Sequence, residues 1–452
     1  MNESDYPRVL IIRQSSNTTS GGGITLSNLF RGWPKDRLAI ACGGDEYPDS
    51  TLFENYYNLG SLEDRWIWPF NSIKRQGKIS GPVALSQVSR GLGADSTSPL
   101  GVVKTFRPSF SRRLFYASVN LFGTYELMRQ LYLSPQFLEW VNLFKPDLIY
   151  TWLHSINVIR LVERTYCATG VPLVIHIVDD WPAALYRHGL LAPYVRHRMD
   201  VEFRALLACS SGRMGIGNKM CQVFEGRYGL PFEAFHNTID ISVWRKIARR
   251  DWVSSTPFRV VYTGGIGPAN RQSLADAADA VAELFDSRQP IMMDIFTPNW
   301  EFGRTILLER PGCVYVNPAI PYRDMPITLA KADLLLLPLD FSQFSVNLAQ
   351  YSIPTKMPEY MASGTPILVY APEDMALSEY ARNEGWAKVI SERNKAVLRQ
   401  EILNLMRDPI LREQFGRRGQ EIAARNHDAI KVRETFRLAL TKASAIGHQK
   451  LT

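Results

Sequence analysis

Tyr351-Ser-Ile-Pro-Thr-Lys-Met-Pro-Glu-Tyr-Met-Ala-Ser-Gly-Thr-Pro-Ile-Leu-Val-Tyr370 is the stretch whose reading decides the fold. It reads as a polar loop, a short helix, a tight turn and a buried strand. Pro354 suits the start of a helix, because proline has no amide hydrogen to donate. Gly364 suits the left-handed position that closes one. Ile367–Val369 is apolar throughout, as in a parallel strand covered on both faces. Lys356 and Glu359 are three residues apart and share a helix face. A helix N-terminus at Thr355 attracts phosphate, and Lys356 adds a full positive charge there. A carboxylate such as Glu359 can accept two hydrogen bonds from a vicinal diol, such as a ribose. One short helix could thus hold both halves of a nucleoside diphosphate. The plainer alternative is a solvated ion pair at helical spacing, worth tenths of a kcal/mol.

Outward from this stretch, apolar runs alternate with helical patterns. Arg259–Thr263 predicts a strand, Gly264 and Gly265 a turn, and a helix follows from about Asn270. Strands are expected at Ile291–Phe296, Cys313–Asn317, Leu334–Leu337 and Lys388–Ile390, and helices from Lys395, Pro409 and Asp428. The first half repeats the pattern: strands at Arg8–Arg13, Leu38–Cys42, Leu148–Trp152 and Val171–Val178, with helices at Pro135–Phe144 and Ile156–Thr169. Alternating strands and helices form parallel sheets. At 452 residues the chain is too long for one ordinary core, so two domains are expected.

Ser352-x-Pro354-Thr355-Lys356-x-x-Glu359-Tyr360-Met361-Ala362-Ser363-Gly364-x-Pro366 resembles the donor-binding motif of glycosyltransferase family 4, the retaining GT-B enzymes. The run from Pro321-Tyr322-Arg323-Asp324 through Asp333–Pro338 is similar to the helix and strand that precede it there. The resemblance implies a GT-B fold, two Rossmann-like doubly wound domains facing a cleft. It implies an acceptor domain over 1–236, a linker over 237–256, a donor domain over 257–427, and a last helix, 428–452, crossing back onto the first domain. It implies sugar transfer from a nucleotide-diphosphate sugar to a glycan or lipid-linked acceptor, with retention and with neither metal nor cofactor. Lys356 would stabilise the leaving diphosphate, with the N-terminus at Thr355 and with Arg271. Glu359 would hold the ribose, and backbone groups near Ile320 the base. Ser352, Gly264, Gly265 and the glycine loop at Gly22 and Gly23 would also line the donor. The alternative is a non-catalytic module of the same fold that binds a nucleotide sugar or scaffolds partners.

Four positions depart from the family pattern, one of them Thr238, which replaces a glycine in the turn His236–Asp240 at the domain junction. Tyr351 stands where many members carry a first glutamate, Gly265 where they carry an arginine, and Val178 where they carry a histidine. His176, two residues earlier, is a candidate replacement; a core role is the alternative. Asp179 and Asp180 follow at a strand's C-terminal end, where open α/β sheets bind ligands. Either carboxylate could orient an acceptor hydroxyl, and a helix N-cap is the other reading. Asp179 matches the family aspartate.

The chain is 46% hydrophobic and 21% charged, the composition of a soluble globular protein. No apolar run approaches the roughly 20 residues that cross a bilayer, and Met1–Ile12 does not resemble a signal peptide. Five cysteines without Cys-x-x-Cys spacing read as buried thiols in a reducing cytosol. The net charge is +8, and the segment Arg65–Arg113 carries nine basic residues and one acid, Asp95. Aromatics interleave them within an irregular insertion over about 50–130. That pattern suits an anionic membrane surface or a solvated charged face, and nucleic acid less well. Cytoplasmic localisation, peripheral at the inner face of the membrane, is the expectation.

Overall fold

The structure, a computed structural model, describes residues 6–14, 21–43, 51–67, 79–83, 125–298 and 306–449. Of the nine basic residues between Arg65 and Arg113, all but Arg65 lie outside the described residues.

The first half contributes β1 (Val9–Ile12), β2 (Leu38–Cys42), β3 (Asn55–Asn58), β4 (Asp64–Trp66), β5 (Gly81–Pro82), β6 (Arg129–Leu131), β7 (Leu148–Trp152), β8 (Leu173–Ile177), β9 (Gly212–Gly215) and β10 (Glu233–Ala234). One sheet runs β10-β9-β8-β7-β1-β2-β3-β5, parallel apart from β5 against β3. β4 and β6 pair separately as an antiparallel ribbon. The second half contributes β11 (Phe258–Thr263), β12 (Ile291–Thr297), β13 (Val314–Pro318), β14 (Leu334–Pro338), β15 (Ile367–Tyr370) and β16 (Lys388–Ile390). Its sheet is parallel throughout, in the order β13-β12-β11-β14-β15-β16. That is the doubly wound order of a Rossmann fold, and the first sheet repeats it around β1. Central strands such as Val9–Ile12 and Leu334–Pro338 are buried along their whole length. Continuous apolar runs follow from helices covering both faces.

Local signals place the helices. Ser155 accepts a hydrogen bond from the Val158 amide, and Gly170, left-handed at φ 67°, closes the helix Ile156–Thr169. Asp240 caps a short helix, Ile241–Ile247, within the linker. The helix Ala429–Gln449 returns to the first domain. There Phe436 and Leu440 are fully buried with Phe30 and Tyr150.

Three details correct the reading of the sequence. The helix in the motif is Met357–Ser363, with Lys356 at its N-cap and Pro358 in its first turn. Pro358 therefore takes the proline position, and Pro354 opens a preceding turn, whose carbonyl accepts from the Met357 amide at 3.0 Å. Gly21–Gly23 do not form a loop ahead of a helix; they are the first turn of Gly21–Phe30. Cys167 and Cys209 are exposed near helix C-termini, whereas Cys42, Cys221 and Cys313 are buried.

Candidate functional site

In both sheets the strand order reverses beside the first strand, between β1 and β7 and between β11 and β14. Doubly wound sheets bind ligands at these points, outside the strands' carboxyl ends. Here the two points face one another. Two chambers lie between them and meet at Thr355 and Lys356.

The larger chamber, about 750 Å³, is lined by Gly264, Gly265, Ile320, Thr355, Lys356 and Glu359, with Tyr322 and Phe296 beside them. Gly21 and Ile24 close it from the first domain. The Lys356 ammonium lies 3.9 Å from the centre of the Tyr262 ring, a cation–π contact. Gly264, at φ 129°, makes this approach possible, since a Cβ there would lie 2.6 Å from Nζ. The glycine turn is braced from below. The Tyr262 hydroxyl donates to the Gly265 carbonyl at 2.6 Å, and the Asn270 amide donates to that same hydroxyl at 2.9 Å. Asn270 Oδ1 also accepts from the Gly267 amide at 2.9 Å.

Glu359 is 5% exposed, and its Oε1 has no hydrogen-bond partner among the described residues. Burial pushes its carboxyl up to about 7, against the opposing pull of the Tyr322 hydroxyl and the Lys356 charge. A buried acceptor without a donor, facing a chamber, is a place for a ligand hydroxyl. Asn28 of the first domain lies close enough to the Tyr322 hydroxyl to favour its ionised form. Asn28 in turn donates to Asn237 Oδ1 at 3.1 Å and to the Thr238 carbonyl at 3.0 Å. Asn237 completes the link by donating to the Thr355 carbonyl at 2.5 Å. The motif is thus tied to the opposite domain through its own backbone. A side chain at Gly21 would collide with the Thr355 hydroxyl, so that helix turn must be glycine to come so close.

The smaller chamber, about 320 Å³, includes Gly22, Trp152, Val178, Asp179, Asn270 and Ser352. Asp179 and Asp180 have separate fates. Asp180 is buried in a bidentate pair with Arg227, at 2.8 and 2.7 Å, and caps the helix Trp181–Ala184. Asp179 faces the chamber, where its Oδ1 accepts from the Ser352 hydroxyl of the other domain at 2.8 Å. Enclosure between the domains pushes the Asp179 carboxyl up, although its outer edge still meets cleft solvent.

Four residues singled out in the sequence lie elsewhere. His176 is fully buried, with Nδ1 2.6 Å from the Tyr150 hydroxyl, and burial lowers it to about 3. Alternation along β8 turns it to the face that the last helix covers, where it packs with Tyr150 and behind Trp152; His176 itself lines neither chamber. Arg271 is exposed at the first position of its helix, outside the walls of both chambers. Gly23 is buried within its helix and lines neither. Tyr351 packs on the first domain's core and borders a different cavity, beside Lys219 and Glu379. Conversely, Tyr322, Asn28, Asn237, Trp152 and Tyr262 belong to the site without having been singled out. Asn270 gave the only local signal among such residues, as the position before a helix. Among the described residues there is no group of three or more His, Cys, Asp or Glu that could hold a metal ion.

The class this architecture defines is the GT-B fold: two Rossmann-like domains whose ligand-binding edges face a common cleft. No protein-family model matches the chain, and no curated protein matches its sequence. Solved structures do match it. HepE of Anabaena, in complex with UDP, aligns over 96% of this chain and 99% of its own, with a TM-score of 0.55 and 12% identity. Sucrose-phosphate synthase of Thermosynechococcus elongatus aligns over 94% of this chain and 96% of its own, at TM-score 0.59 and 10% identity. WaaG, a glycosyltransferase involved in lipopolysaccharide biosynthesis, aligns over 96% and 99%, at 0.57 and 13%. At such identities the likeness is one of fold.

Proposed function

We propose that this protein transfers a sugar from a nucleoside-diphosphate sugar to an acceptor hydroxyl, with retention and without a metal. One observation carries the reading: a single chamber holds the Lys356 ammonium and the open, buried Oε1 of Glu359. Glu359 accepts the ribose diol. The nucleobase lies toward Ile320, and the diphosphate rests at the junction of the two chambers. As the sugar–phosphate bond breaks, charge develops on the leaving diphosphate. A preorganised cation and backbone amides stabilise such charge strongly in an enclosed site. Lys356 and the Gly265 side of the glycine turn fill that role, since the Gly264 amide is committed to the Phe296 carbonyl at 2.9 Å. Asp179, fixed by Ser352, orients the acceptor hydroxyl. In front-face transfer the leaving phosphate oxygen takes the acceptor's proton, so no second carboxylate is required. HepE has been solved with UDP and with UDP-glucose, which supports a nucleotide-sugar donor here.

The role of WaaG supports an acceptor in cell-surface polysaccharide or glycolipid assembly. No helix among the described residues is long and apolar enough to cross a membrane. Contact with an anionic membrane surface would then rest on the basic segment Arg65–Arg113.

Calorimetric titration with UDP, GDP and dTDP tests the donor reading; at least one is expected to bind, and Lys356→Ala to weaken it. Binding of none would overturn it. Release of nucleoside diphosphate in the presence of cell lipid extract then separates an enzyme from a binding module, because a module binds and releases nothing.

A further inference from the structure

The smaller chamber lies on the far side of Lys356 from Glu359, so a donor whose ribose meets Glu359 places its sugar there. This inference rests on the donor reading above and extends it to the sugar. About 320 Å³ is at the small end of ligand clefts and suits one pyranose ring.

The walls are unequal. The chamber's polar side chains are few: Asp179, Ser352, Asn270 and Lys356, with Thr355 at the junction with the larger chamber. The rest of the lining is mostly carbon, with Val178, Ile216, Leu348, Ile353 and the ring of Trp152. The Trp152 indole N–H donates to the Tyr150 hydroxyl at 2.7 Å, so the chamber meets only the ring's carbon surface. Asn270 could have offered an amide, but its oxygen accepts from the Gly267 amide. Its nitrogen donates to the Tyr262 hydroxyl and to the Gly265 carbonyl. Ser352 is likewise committed to Asp179. A hexose carries hydroxyls around its whole rim. Those facing Asp179 and Lys356 find partners, whereas one pressed against the aliphatic wall loses its water and gains nothing in return.

We infer that the donor sugar is a 6-deoxyhexose, whose C6 methyl packs against the aliphatic wall where a hexose would bury its 6-hydroxyl. Its remaining hydroxyls meet Asp179, and its ring lies on Trp152.

The test compares matched nucleotide sugars that differ only at C6. GDP-D-mannose is paired with GDP-D-rhamnose, dTDP-D-glucose with dTDP-6-deoxy-D-glucose, and UDP-D-galactose with UDP-D-fucose, using whichever base binds. The 6-deoxy member is expected to bind about 10- to 10²-fold tighter, the range over which an apolar pocket discriminates one hydroxyl. Val178→Thr keeps the volume and adds a hydroxyl to the wall, and is expected to cut that ratio several-fold. Equal or tighter binding of the hydroxylated member would overturn the inference while leaving the nucleotide reading intact. Failure of every nucleoside diphosphate to bind would overturn both.

Discussion

The two chambers that meet at Lys356 are built in opposite ways. The larger takes most of its wall from one domain, from strand ends and a single motif, and presents charge: an ammonium on one side and a buried carboxyl on the other. The smaller is shared between domains; carbon outweighs polar surface in both chambers, and the smaller has the lesser polar share and no buried carboxyl. The contrast teaches that affinity and selectivity are housed separately. The polar chamber can hold the invariant part of a nucleotide, and the apolar one can choose what is attached to it.

Substitutions should break or sharpen that division, beginning where it is thinnest. Lys356 borders both chambers, and Lys356→Ala is expected to lower turnover by about 10²-fold or more, the loss of about 2.7–4 kcal/mol that removing an oxyanion stabiliser brings. Steady-state kinetics showing activity within twofold of wild type would remove Lys356 from the reaction. Glu359 belongs to the polar chamber alone. Burial pushes its carboxyl up to about 7, and ribose hydroxyls bond more strongly to the ionised form than to the protonated one. Nucleotide affinity should therefore be full above pH 7 and weaken as the pH falls through it. Glu359→Gln should raise the donor KM about tenfold at pH 8, about 1.4 kcal/mol, and flatten the pH profile. An unchanged profile would make Glu359 structural.

Asp179→Asn touches only the apolar chamber. A neutral acceptor is roughly half as strong as a charged one, so turnover should fall about fivefold while nucleoside diphosphate affinity stays as it was. A parallel loss of nucleotide affinity would show that the chambers are not separate. The smallest effect is none: transfer should survive excess EDTA, and activity restored only by Mg²⁺ or Mn²⁺ would contradict a metal-free reaction.

The same contrast explains what could be read in advance. Strands such as Leu148–Trp152 and Leu334–Pro338 fall within a residue of their expected bounds, because parallel strands covered on both faces must be apolar throughout. The larger chamber gathers Thr355, Lys356 and Glu359, expected from the motif, Gly264 and Gly265, expected from a strand and glycine turn, and Ile320, expected only from the family resemblance. The Asn28–Asn237–Thr355 link was not legible, since partners more than a hundred residues apart leave no local pattern. His176 misled for a related reason. Its place near a strand end pointed to the cleft, but which face it takes depends on a helix 250 residues further along the chain. The ribbon of β4 and β6 was missed because three-residue strands carry too little alternation to register.

The return of the last helix sets how the halves can move. Phe436 and Leu440 complete the first domain's core, so that domain is discontinuous in sequence, and a fragment ending at the linker would expose a raw apolar face. The chain crosses between domains twice, and the crossings lie side by side. The Ile239 amide donates to the His427 carbonyl at 3.0 Å, and the Ala429 amide donates to the Ile239 carbonyl at 2.9 Å. A single thread lets two bodies swivel in any direction, whereas a doubled one behaves like a door hinge. Bending across the pair stays easy, but twisting would tear the two threads apart. The paired crossings therefore resist relative twisting of the two halves more than bending.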